Sequence, residues 1–115
     1  MTVNYTDRLR SLGLNDARFA KGSVEPVGVE SLQLDLKTLE LVRLAALVAV
    51  GGAVPSYGAH ADSAVSAGAS AAEIVDVLVG VIPVVGLPCV VAAAPKVALA
   101  LGYDLDEALE YQPGE

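Results

Sequence analysis

His60 is the one histidine of this 115-residue chain, so it is the only side chain whose unperturbed pKa puts proton exchange near neutrality. Ser56 precedes it by four residues, and on a helix the two share a face. Ser and His together can act as nucleophile and base, but triad chemistry also needs an orienting carboxylate and an oxyanion hole. Asp62 lies two positions on, roughly on the opposite side of such a helix, and does not fill that role. Glu40 and Arg43 are the other candidates. They interrupt an otherwise largely apolar helix at i,i+3 spacing and can pair on one helix face. Two readings stand for that pair: an ion pair at a surface or between subunits, or an Arg43 that binds an anion while Glu40 orients it or exchanges protons with it. Two also stand for His60, a hydrogen-bonded structural ring or a general acid.

Several other chemistries are excluded by composition. Cys89 is the single cysteine, so the chain holds neither an internal disulfide nor a CxxC pair. It follows Pro88 near an expected helix start, where the dipole can lower a thiol pKa. Val90-Val91-Ala92 beside it read as core, and a buried, inert thiol is expected. One histidine with no paired ligand spacing offers no metal site. There is no glycine-rich phosphate loop, and no cofactor is expected. Fourteen acids stand against seven bases, a net charge of −7, which excludes nucleic acid as a partner because phosphate binding needs clustered Lys and Arg. Five of those acids and no base lie between Gly102 and Glu115, which reads as a solvated acidic tail.

The elements that must position these residues are helical. Asn4 or Thr6 can cap a helix from Tyr5 to Leu12, and Asn15-Asp16 another turn through Ala20. Glycine and proline at 22, 26 and 28 make residues 21–33 a loop or extended segment. Asp35 is a good cap for a helix over 36–50, with apolar residues recurring at 36, 39, 44, 47 and 50, with 41, 42, 45, 46, 48 and 49 widening the buried surface, and stopped by Gly51-Gly52. The next helix runs from about Pro55 or Ser56 to Ala67, with Gly68 as its stop. Ser70-Ala71-Ala72-Glu73 is a capping box opening a helix that must bend or end near Pro83. Gly86-Leu87-Pro88 restarts the chain through Leu101, with a kink near Pro95, and a last short helix is expected at about 104–111. The class is all-α, a bundle of about six or seven short helices in one domain spanning 1–115.

Two stretches, Leu44–Ala61 and Val77–Pro95, lack Asp, Glu, Lys and Arg. Glycine and proline interrupt both, and neither carries an aromatic belt or flanking basic clusters, so soluble helices buried on several sides are expected, with no membrane. A domain this small has too little interior for helices apolar nearly all round. Copies of the same chain are expected to cover the excess, giving an obligate homo-oligomer. Residues 1–10 lack the apolar core of a signal peptide, and a cytoplasmic location is expected.

The ordered set of motifs resembles the carboxymuconolactone decarboxylase family. It comprises Leu34-Asp35-x-Lys37-Thr38-x-Glu40-Leu41, an Ala/Val helix, His60 one turn into the next helix, Ala67-Gly68-Ala69-Ser70-x-x-Glu73-Ile74-x-x-Val77-Leu78, and Gly86-Leu87-Pro88. The likeness covers about residues 34–101. It implies an alkylhydroperoxidase D-like fold assembled into dimers, trimers or hexamers, with pockets lined by the two central helices. In the family's peroxidase branch a CxxC precedes the histidine, and a glutamate of the preceding helix joins a proton relay. Here the corresponding stretch is Ala53-Val54-Pro55-Ser56, with His60 retained and Glu40 within about one residue of the glutamate's place. Both thiols are absent, so peroxiredoxin-type activity is not expected. The decarboxylase branch needs no cysteine. It removes a carboxylate from a lactone and protonates the dienolate-like charge left behind. The resemblance implies His60 and Glu40 as catalytic residues, Arg43 and Ser56 as binders of a small carboxylated or lactone-like metabolite, and no metal or cofactor. Arg8, Arg10 and Arg18 add positive charge only by folding over the pocket or reaching it from a neighbour. The alternative is a non-catalytic oligomeric binding or scaffold member that keeps the helices without the chemistry.

Overall fold

In a computed structural model describing residues 4–14 and 32–103, five helices are present and no strand occurs among the described residues. They are α1 (Tyr5–Gly13), α2 (Leu36–Val50), α3 (Val54–Ser66), α4 (Ala71–Val85) and α5 (Leu87–Ala100). Contacts divide the chain at Asp35 into two compact units. In the first, Asn4 caps α1, its side-chain oxygen accepting from the Thr6 amide at 2.8 Å. No residue of α1 is buried. The further helices expected at 15–20 and 104–111, and most of the 21–33 loop, lie outside the described residues, as does Arg18.

The second unit is a four-helix bundle. α2 packs on α3, α3 on α5, α5 on α4 and α4 back on α2, so the helices close a ring around one core. Leu44 and Val48 of α2, Tyr57 and Ala64 of α3, Ile74 and Leu78 of α4, and Val90, Ala93 and Val97 of α5 fill it. Most of these side chains are small, which lets the backbones approach closely.

The buried row of α2 differs from the row read in the sequence. Leu36 and Val50 are exposed, and burial falls on Leu39, Glu40, Leu44 and Val48. Residues 40, 44 and 48 form one i,i+4 line. A glutamate therefore occupies a core-facing position, which a carboxylate tolerates only with partners.

The punctuation is glycine. Gly51, Gly68 and Gly102 have positive φ just past the ends of α2, α3 and α5. Gly86 (φ 89, ψ 151) turns α4 directly into α5. Ser70 and Glu73 form the capping box: the Glu73 amide donates to Ser70 Oγ at 3.0 Å and the Ser70 amide to Glu73 Oε1 at 2.9 Å. Glu73 Oε2 also meets Lys37 Nζ at 2.8 Å, tying the start of α4 to α2. α4 passes through Pro83 and ends two residues later, at Val85, because one missing N–H near a C-terminus removes a single helical bond. No helix among the described residues is long and apolar enough to cross a membrane.

Candidate functional site

α2 and α3 are joined by a short turn, which lays them side by side and brings Glu40 and His60 together across 20 positions of sequence. Glu40 Oε2 lies 2.7 Å from His60 Nδ1. Its other oxygen, Oε1, accepts from Arg43 NH1 at 2.7 Å, one turn along α2. The Glu40 side chain is 5% exposed, His60 34% and Arg43 42%. A buried carboxylate is thus held between two groups that both reach the surface.

The electrostatics follow from that layering. Burial pushes the Glu40 carboxyl up, but the hydrogen bonds from His60 and Arg43, with their charges, outweigh it and hold the group below the ordinary 4.5. Glu40 is accordingly ionised near neutrality, and an ionised carboxylate only accepts hydrogen bonds. The Nδ1 atom of His60 must then carry the proton of the 2.7 Å bond. This fixes the ring's orientation and leaves Nε2 as the nitrogen for chemistry. Arg43 spends one N–H on Glu40 and keeps the rest of its planar fork for an anion.

Of the four residues read from the sequence, Glu40, Arg43 and His60 come together. Ser56 shares the His60 face of α3 at i,i+4 and is half-buried, but no side-chain hydrogen bond joins it to the other three among the described residues. Asp62 is exposed beyond that face. Arg10 pairs loosely with Asp7 at 3.9 Å on α1. No three of His, Cys, Asp and Glu among the described residues converge as a metal site would require. Cys89, expected in the core, is instead half-buried, because α5 turns Val90, Ala93 and Val97 inward and leaves position 89 at the edge of that stripe.

Sequence reasoning passed over two residues. Tyr57 is completely buried, and Lys96 donates from Nζ to the Gly52 carbonyl at 3.0 Å, clamping α5 to the α2–α3 turn. A signal existed for both. Tyr57 is the one aromatic between positions 20 and 102, and Lys96 the one Lys or Arg after Arg43.

An all-helical unit with a glutamate–histidine pair bridging two adjacent helices defines the class. Residues 17–99 match the model of the carboxymuconolactone decarboxylase family, and the chain belongs to that family. No curated protein and no solved structure matches it.

Proposed function

We propose that the chain is a cofactor-independent lyase that decarboxylates a small carboxylated or lactone-like metabolite at the Glu40–His60–Arg43 site. The reading rests on one observation: a buried, ionised Glu40 holds Nδ1–H of His60 with one oxygen and Arg43 with the other. Arg43 takes a substrate carboxylate with its remaining N–H groups. The bond from the lactone ring to its departing carboxylate breaks, and CO2 leaves. The electron pair stays behind, spread into the unsaturated lactone carbonyl as a dienolate. His60, as imidazolium, gives the Nε2 proton to the ring carbon and is left neutral with its other proton on Nδ1, facing Glu40. Glu40 stabilises the charged ring and sets its orientation, as the carboxylate of a catalytic triad does. Ser56, one turn before His60, donates to the lactone oxygen in this reading.

Assembly belongs to the same proposal. Val75 and Val79 on α4, with Leu87 and Val91 on α5, are exposed at i,i+4 spacing. A groove of about 510 Å³ between these two helices is lined by Val75, Leu78, Val97 and Leu101 among others. A second copy of the chain covers this surface better than water does. Sedimentation should then give a multiple of the 11.7 kDa chain, and a stable monomer in dilute buffer would refute the oligomer.

The activity test is CO2 release from carboxymuconolactone and from a panel of smaller lactone acids. Wild type should turn over at least one of them, and His60→Ala should lose roughly 10²–10⁴ in kcat, the usual worth of a general acid. An unchanged His60→Ala rate refutes the acid role. Binding without CO2 release would hand the site to a non-catalytic family member.

A further inference from the structure

We infer that residues 104–111, which lie outside the described residues, cover the groove between α4 and α5 of their own chain, with Leu105 and Leu109 entering it. The groove has a volume of about 510 Å³ and is lined by Ala71, Val75, Leu78, Val97, Leu101 and Tyr103 among others. None of Glu40, Arg43, Ser56 and His60 lines it, so it is separate from the decarboxylase reading.

The end of α5 steers the chain there. The Tyr103 amide donates to the Ala98 carbonyl at 2.8 Å and the Gly102 amide to the Leu99 carbonyl at 3.0 Å, with Gly102 at φ 81. This is the Schellman arrangement, in which the residue after the glycine folds back onto the last turn of the helix. Tyr103 and Ala98 accordingly share the groove wall, and residue 104 begins at its mouth. The end of α3 carries the same bonds. The Ala69 amide donates to the Ala64 carbonyl at 2.9 Å and the Gly68 amide to the Val65 carbonyl at 3.0 Å, with Gly68 at φ 106. There Ser70 and Glu73 open α4 through their capping box. After Tyr103 come Asp104 and, three residues on, Glu107. Glycine, spacer, cap and glutamate thus recur at the same spacing after α5.

A helix opened at Asp104 sets Leu105, Ala108 and Leu109 on one face and Asp106, Glu107 and Glu110 on the others. The groove suits that partition. Apart from Tyr103 its lining side chains are hydrocarbon, with Val75 exposed and Leu101 half-buried above a floor of buried Leu78 and Val97. Two leucines take this surface out of water while the acids stay in it. A second copy would have to fit around the segment issuing from Tyr103, whereas residues 105–109 are already tethered at the groove, which raises their effective concentration there. The second copy proposed for this face is left Val79, Leu87 and Val91, which lie toward the Gly86 turn.

The test is methyl NMR on the full chain, in an equal mixture of ¹³C-labelled and unlabelled protein. Nuclear Overhauser contacts from the Leu105 and Leu109 methyls to those of Val75 and Leu101 should appear within labelled chains and not between labelled and unlabelled ones. Leu105→Asp combined with Leu109→Asp should abolish them and shift the Val75 and Leu101 methyls. The double variant should also bind anilinonaphthalene sulfonate with severalfold higher fluorescence, because the groove is then open to the dye. Glu110→Gln, on the outward face, should change none of these. Contacts that run between chains would give the groove to the second copy and overturn this assignment. So would a wild type in which Leu105 and Leu109 touch neither Val75 nor Leu101, or a double variant whose methyl shifts and dye fluorescence match the wild type's, because 104–111 would then be a solvated tail.

Discussion

Glu40→Gln separates charge from shape at the site. The amide fills the carboxylate's volume and still accepts one hydrogen bond, but it cannot serve two cationic donors at once. Each bond from His60 and Arg43 is charge-assisted at 2.7 Å, worth about 1.5–3 kcal/mol, against about 1 kcal/mol for a neutral one. With one bond of about 1 kcal/mol left in place of two charge-assisted ones, the gross loss is roughly 2–5 kcal/mol, and it is then reduced twice. A glutamine has no charge to desolvate, and both partners are about a third exposed or more, so water replaces part of what they lose. The net destabilisation near pH 7 is about 1–2 kcal/mol. Its pH dependence carries a definite sign. The folded Glu40 carboxyl is held below 4.5, so its stabilisation is present above that value and is lost as pH falls through the lower, folded one. The glutamine of the variant does not titrate. Urea denaturation followed by circular dichroism, at fixed chain concentration from about pH 7 down to about pH 3, should show the two stability curves converging in acid. A gap that is equal at all pH values, or absent near pH 7, would refute the claim that the Glu40 charge itself is bonded.

Two further predictions concern the scaffold. Gly86 joins α4 to α5 at φ 89 and ψ 151, a conformation that residues with a Cβ avoid. Gly86→Ala should cost about 1–3 kcal/mol, read as a lowered urea midpoint with unchanged m-value, and an unchanged midpoint would show the turn to be unstrained. Ser70→Ala removes the cap of α4 and should cost about 1 kcal/mol, with Ser70→Thr restoring most of it. Equal loss in both variants would assign the effect to something other than the cap.

Much of the scaffold could be read from residue types, because caps and glycine stops act locally. Ser70 with Glu73, and the glycines at 51, 68 and 86, mark helix ends through bonds and dihedrals within a few residues. The Glu40–Arg43 pair is local in the same sense, set by one helical turn. The Glu40–His60 bond spans two helices, and only the family likeness pointed to it. The depth of Glu40 escaped the pattern because the apolar residues of α2 surround the whole helix: 41, 42, 45, 46, 48 and 49 are hydrophobic as well as 36, 39, 44, 47 and 50, so no single face stands out. Which row is buried was decided by packing against α3 and α4. The half-burial of Cys89 and the bond from Lys96 to the Gly52 carbonyl depend on how α5 is rotated in the bundle, a tertiary fact that neighbouring residues do not encode.

The central claim is that Glu40 fixes the proton of His60 on Nδ1 and frees Nε2 for proton transfer. Long-range ¹H–¹⁵N correlation of the imidazole, at a pH where the ring is neutral, reads the tautomer directly. A protonated Nδ1 and a bare Nε2 are expected in the wild type, with that preference lost in Glu40→Gln. A ring protonated on Nε2, or one whose tautomer is the same with and without the carboxylate, would contradict the claim.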